Sequence, residues 1–136
     1  MEDEGRIRIA ADADLVLARQ KGRRLAAAMG FSGTDATLIA TAISELARNI
    51  LAYAGVGEIE LARIHENSRD GIVVVALDSG PGIADLEAAM QEGFSTAGGL
   101  GMGLPGARRL VDEFDIVSEV GKGTTVTLRK WRAFAA

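Results

Sequence analysis

Four short stretches of this chain carry residue types that can do chemistry, and each also has a plainer reading. Glu45, Arg48 and Asn49 stand close together. At about 100° per residue on a helix, Glu45 and Asn49 lie about 40° apart and can share one ligand. An amide oxygen beside a carboxylate suits a hard cation such as magnesium, which takes oxygen ligands and keeps several waters, together with a base for a nearby hydroxyl or water. The plain alternative is a solvated helix face on a side away from the helix's apolar stripe. Asp78-Ser79-Gly80-Pro81-Gly82 follows an apolar run. Its carboxylate can accept from an exocyclic amine, and its glycines let backbone approach a ligand closely. A capped turn would use the same residues.

Gly98-Gly99-Leu100-Gly101-Met102-Gly103-Leu104-Pro105 is the strongest single feature. Backbone N–H groups placed directly before a helix start can surround an anion, and phosphate fits there by donors and by dipole. A flexible loop explains the glycines but not their position. The run also satisfies G-x-G-x-x-G through Gly101, Gly103 and Gly106. A dinucleotide fingerprint, however, needs a strand before it and an acid about 20 positions after it. Glu92 to Thr96 is no strand, and the position in question is Val126. The segments of a eukaryotic-type kinase do not occur, and Gly121-Lys122 is followed by Gly123 where a Walker A loop needs Ser or Thr. The fourth stretch, Gly123-Thr124-Thr125, offers a hydroxyl that can bond a base edge or a phosphate, although threonine is also an ordinary strand residue.

These stretches need elements to position them. Arg6 to Ala11 alternates as a strand, and Asp12 or Asp14 can cap a helix to about Met29, stopped by Gly30. That helix buries Leu15, Ala18, Leu25 and Met29 and exposes Arg19, Lys21, Arg23 and Arg24, a solvated face or a docking surface. Thr34 or Asp35 caps a second helix whose Ile39, Ala42, Ile43, Leu46, Ala47, Ile50 and Ala54 form one apolar face ending at Gly55. Gly57 to Ile64 and the β-branched run Ile72 to Leu77 read as a hairpin around Glu66 to Gly71, with the second strand central. Asp85 to Glu92 reads as a short helix. Leu104 to Glu113 reads as another, with Pro105 in its first turn, followed by strands Phe114 to Glu119 and Thr124 to Lys130. The order predicts an α/β (α+β) two-layer sandwich, a mixed β-sheet with helices on one face, in a single domain over residues 1–136.

Bulk composition narrows the partners. A net charge of −4 argues against a general grip on nucleic acid or an anionic membrane. With no cysteine and one histidine, His65, a zinc enzyme is excluded. The charged N-terminus lacks a signal core, and no apolar stretch has the length of a membrane span, so a soluble, cytoplasmic protein is expected.

In order along the chain, Glu45-Leu-Ala-Arg48-Asn49, Asp78-Ser-Gly80-Pro-Gly82, Gly99-Leu-Gly101-Met-Gly103 and Gly123-Thr124 resemble the N, G1, G2 and GT boxes of the GHKL ATPase and kinase superfamily. The wording E-L-A-R-N and G-L-G-x-G-L-P-G is similar to that of RsbT-like anti-sigma or switch serine-protein kinases. The resemblance covers nearly the whole chain and implies a Bergerat ATP-binding fold, with ATP and magnesium as cofactors. It implies that Asn49 holds magnesium, that Glu45 is general base or orients the acceptor hydroxyl, and that Asp78 reads the adenine amine. Gly80 and Gly82 then permit close approach to the nucleotide, Gly99, Gly101, Gly103 and Leu104 belong to the phosphate loop, and Thr124 helps fix the base. The 136 residues are expected to hold neither an acceptor-histidine module nor a clamp domain. The expected activity is therefore that of a serine/threonine kinase acting on a separate STAS-domain antagonist or scaffold, with a downstream effector as further partner. The alternative is a nucleotide-gated binding module with little phosphoryl transfer. Ile83 to Gly98 contains no lysine or arginine, which leaves Arg48, Arg108 and Arg109 as candidates for a γ-phosphate contact, each equally readable as a surface charge.

Overall fold

Polar and apolar residues alternate, or β-branched residues run together, in five segments that form strands: β1 (Glu2–Ile9), β2 (Gly57–Glu66), β3 (Arg69–Asp78), β4 (Glu113–Glu119) and β5 (Gly123–Trp131). Among the described residues three segments with helical spacing form α1 (Asp12–Ala28), α2 (Gly33–Tyr53) and α3 (Gly103–Arg109). The structure is a computed structural model that describes residues 2–84, 90 and 103–132, the first three by their backbone alone. The predicted helix Asp85 to Glu92 and the segment Phe94 to Gly99 lie outside the described residues, apart from Met90.

The strands form one sheet in the order β1-β2-β3-β5-β4, with β3 at its centre as its composition predicts. Every neighbouring pair is antiparallel. The expectation of a mixed sheet is therefore corrected, while the two-layer α/β sandwich holds. Each neighbour is reached by a connection that reverses direction. The β2–β3 turn needs only Asn67 and Ser68, whose φ of 53° and 64° give the twist that a two-residue hairpin requires.

One face of the sheet takes the helices. Ile9, Ile59, Leu61, Ile72, Val74, Val126 and Leu128 are wholly or almost wholly buried against Ile39, Ile43, Leu46 and Ile50 of α2 and Ala18 and Leu25 of α1. Each such aliphatic side chain contributes about 1.5–3 kcal/mol over an exposed one. On the opposite face Ala62, Ile64, Val73 and Trp131 form a smaller cluster, and the Arg69 guanidinium lies 3.9 Å from the Trp131 ring centroid.

The helix expected over Leu104 to Glu113 ends at Arg109, Glu113 opening β4, and both long helices start on caps other than those expected. At the start of α1 the N-cap is Ala11. Asp14 serves from inside the first turn, its Oδ2 accepting from the N–H groups of Ala10 and Ala11 at 2.9 and 3.0 Å. At the start of α2 the cap is Ser32 rather than Thr34 or Asp35, and its Oγ accepts from the Asp35 N–H at 3.0 Å. Gly30 and Gly55 end the two helices with φ of 86° and 80°, a conformation costly for residues with a Cβ. No helix among the described residues is long and apolar enough to cross a membrane.

Candidate functional site

The antiparallel register of β3 and β5 sets Asp78 directly opposite Thr124. Asp78 Oδ1 accepts from the Gly80 N–H at 3.0 Å, closing a tight turn and leaving its other carboxylate oxygen for a ligand donor. The turn presses on its surroundings. A Cβ at Gly80 would lie 2.6 Å from Ala54 Cβ, and one at Gly82, whose φ is 77°, would lie 2.3 Å from the Glu119 carbonyl oxygen. At Gly123, with φ of 120°, a Cβ would fall 2.0 Å from the Asp78 carbonyl oxygen. Glycine is thus required on both sides of one contact between the Asp78 turn and the β4–β5 hairpin. That hairpin is tied down by the Gly121 N–H, which donates to the Pro81 carbonyl at 2.8 Å.

Ser118 is the residue that sequence reasoning missed. Its Oγ accepts from the Ile83 N–H at 2.7 Å and lies 2.8 Å from Thr124 Oγ1 and 3.2 Å from the Gly123 carbonyl, to which it can donate. It joins the Asp78 loop, β4 and β5 at one atom and orients the Thr124 hydroxyl, which is buried. The available signal is position. Phe114 and Ile116 occupy the helix-facing side of β4 in alternation, and Ser118 continues that row with a hydroxyl where an apolar residue would be expected.

On α2 the sequence expectation is partly corrected. Glu45 is 8% exposed and belongs to an unbroken buried stretch from Ala42 to Ala47, on a helix packed by α1 and α3 as well as by the sheet. The carboxylate is therefore no part of a solvated face, and its Oε1 accepts from Arg48 Nη1 at 2.5 Å. Asn49 is half-buried on the following turn. Gly57 brings this helix to the end of β3: a Cβ there would sit 2.9 Å from Ile50 Cγ2 and 3.2 Å from Asp78 Cβ. The absence of a side chain at Gly57 is what lets the turn after Asn49 and the Asp78 carboxylate approach one another.

The phosphate-loop glycines Gly99 and Gly101 lie outside the described residues. Gly103 opens α3 with φ of 50°. Leu104 gives its side chain to the core, so what it can present to a ligand is backbone. Arg108 and Arg109 are exposed in the last turn of α3, where positive charge is favourable at a helix C-terminus. Arg48 is already engaged by Glu45. Among the described residues no group of three or more His, Asp or Glu is placed to cage a metal. The donor set on α2, one amide oxygen beside a carboxylate, fits magnesium that is held chiefly by water and a nucleotide's phosphates. Among the described residues the one marked electrostatic perturbation lies at the far end of β3. There a hydrogen bond from His65, 2.7 Å away, holds the Asp70 carboxyl below its usual range, aided by the charges of His65 and Arg132.

Comparison with known proteins agrees with this fold. Residues 34–133 match the family described as histidine kinase-, DNA gyrase B-, and HSP90-like ATPase. The chain is 48% identical over 131 residues to serine/threonine-protein kinase RsbT of Bacillus subtilis, covering 96% of this chain and 98% of that one. It is 36% identical over 104 residues to an anti-sigma F factor of Geobacillus stearothermophilus, covering 71% and 69% of the two chains. A crystal structure of the RsbU and RsbW domains of Rv1364c from Mycobacterium tuberculosis superposes with a TM-score of 0.61 at 21% identity. The match covers 95% of this chain and 33% of that one, and at this identity it speaks for the fold alone.

Proposed function

The chain belongs to the histidine kinase-, DNA gyrase B- and HSP90-like ATPase family, and from that premise we propose that it is an ATP-dependent serine/threonine-protein kinase that phosphorylates a separate STAS-domain regulator. The observation that carries this reading is the 48% identity to a serine/threonine-protein kinase over nearly the full length of both chains. The arrangement of Glu45, Asn49, Asp78 and Thr124 supports it. The similarity to anti-sigma factors supports a role in which partners are exchanged in a signalling or stress pathway.

The residues divide the work as follows. Asp78 offers its free carboxylate oxygen to the adenine amine, and the Thr124 hydroxyl, oriented by Ser118, bonds the base edge from the neighbouring strand. Gly80 and Gly82 keep the turn bare enough for the nucleotide to lie against backbone. Asn49 would hold magnesium, which when bound neutralises charge on the phosphate oxygens. Glu45 keeps one oxygen on Arg48 and has the other to orient or deprotonate an acceptor hydroxyl. Catalysis in such a site is mostly positioning and charge stabilisation.

The test is incubation with magnesium, labelled ATP and purified STAS-domain proteins. Label should appear on an acceptor serine or threonine, and Asn49→Ala should abolish it while weakening magnesium-dependent nucleotide binding by about 10–100-fold. A second reading, a nucleotide-gated binding module, draws on the Glu45–Arg48 pair, which engages one oxygen of the carboxylate that transfer would use. Tight nucleotide binding without transfer to any cognate protein would favour it.

A further inference from the structure

At the open edge of the sheet, α1 and β1 enclose a groove of about 790 Å³. Arg6, Arg8, Lys21, Arg24 and Arg63 line it, and among the described residues Asp14 is the only acid that does. That acid is committed to the N–H groups of Ala10 and Ala11. Arg6 is partly neutralised by Glu58 and Glu60, at 3.7 and 2.6 Å. Arg8 comes from β1 and Lys21 and Arg24 from α1, so the cations converge through the fold and are not merely one helix's charge run. They converge on a chain whose formal net charge is −4. The groove is also lined by aliphatic carbon: Leu25 and Leu61 are buried in it, and Leu17, 56% exposed, is a large apolar side chain without cover at its rim.

We propose that this groove docks an acidic segment of the protein that accepts the phosphate, seating an apolar side chain of that segment against Leu17 and its carboxylates against Arg8, Lys21 and Arg24. The inference rests on the protein-kinase reading and adds to it the surface that selects the substrate. Charge complementarity argues for this occupant. A second copy meeting the groove about a twofold axis would set the same cations against themselves. Among the described residues the groove has no aromatic side chain on which a nucleic-acid base could stack. A concentrated positive patch on an acidic molecule steers an acidic partner and raises its association rate in a salt-dependent way.

Lys21 and Arg24 are exposed on α1 and have no part in the nucleotide site, so the double variant Lys21→Glu/Arg24→Glu tests the inference. The KM for the acceptor protein should rise about tenfold or more, with nucleotide affinity, kcat and melting temperature unchanged. Added salt should raise KM for the wild type and leave the variant nearly unmoved. Lys21→Ala/Arg24→Ala should fall between the two, and provides the readout if charge reversal disturbs folding. Calorimetric binding of the same acceptor to wild type and variants reads the docking without transfer. If the wild type transfers phosphate to no acceptor, the kinase reading fails, while acceptor binding that is lost in the variant still upholds the groove. Unchanged KM and unchanged acceptor binding would overturn the groove and leave the kinase reading intact. Self-association abolished by the variant would assign the groove to a second copy and overturn the proposed occupant. So would a lowered KM on neutralising the chain's own Glu2, Asp3 and Glu4, which would make the chain's own acids the groove's occupant.

Discussion

At the scale of single residues, the pairing of Glu45 with Arg48 separates binding from chemistry. The carboxylate is buried beside the helix turn that bears Asn49, with one oxygen held at 2.5 Å by the guanidinium. Glu45→Gln keeps the shape and a hydrogen-bonding oxygen but removes the proton acceptor. Nucleotide binding should therefore persist while the initial rate of transfer to protein falls by about 10²–10⁴-fold. A normal rate would remove Glu45 as base. Asp70 shows a different kind of residue effect. Its carboxyl is depressed mainly by the hydrogen bond from His65, so the folded state binds this proton less readily than the unfolded chain does. Stability from the pair is thus present above the unfolded carboxyl's pKa and is lost as pH falls through the lower, folded value. Urea unfolding of wild type and Asp70→Asn should differ near neutral pH and converge as the pH drops below the ordinary carboxyl range of about 4. A difference that widened on acidification would contradict the assignment.

At the scale of elements, the Asp78 turn and the β4–β5 hairpin fit only because glycine stands on both sides of their contact. Gly123→Ala would place a Cβ 2.0 Å from the Asp78 carbonyl at a φ of 120°, so the end of β3 must move. A loss of roughly 2–4 kcal/mol, together with weaker nucleotide binding, is expected. Gly121→Ala, two residues earlier, meets open space at φ of 82° and should cost only about 1–2 kcal/mol of backbone strain, with binding retained. Equal effects on urea midpoints and on nucleotide affinity would show that packing against Asp78 is not the cause. The same contact shows what the sequence conveys and what it withholds. Periodicity located all five strands and both long helices, and the unbroken β-branched run Ile72 to Leu77 identified the central strand. The positions of Asp78 and Thr124 at strand ends were legible from the glycines nearby, Gly80 two residues after Asp78 and Gly123 directly before Thr124. Strand direction was not legible, since a hydrophobic run reads the same in a parallel or an antiparallel neighbour. Burial of Glu45 was hidden for a related reason: α2 is packed by elements distant in sequence, α3 among them, and local spacing on α2 carries no trace of that packing. Ser118 was missed because a single hydroxyl in an alternating strand reveals its role only once Ile83 and Thr124 are folded against it.

At the scale of the whole molecule, the site residues come from α2, β3 and β5, so a ligand that bridges them should stabilise the entire fold and not one element. Binding to the native state alone adds RT ln(1 + [L]/Kd), about 2.7 kcal/mol at a ligand concentration 100 times Kd. For a chain of this length that corresponds to a rise in melting temperature on the order of 10 °C. Asp78→Asn turns this linkage into a test of base recognition. The asparagine carbonyl can still accept from the Gly80 N–H, so the turn and the unliganded melting temperature should be nearly preserved. The second carboxylate oxygen, however, becomes an amide that donates, and it now faces an amine that also donates. The shift with magnesium and ATP should shrink to a small fraction of its wild-type size. A 6-oxo purine triphosphate, whose carbonyl accepts where adenine donates, should lose less or gain. If ATP stabilised the variant and the wild type equally, Asp78 would not contact the base and the nucleotide would have to be held from elsewhere in the fold.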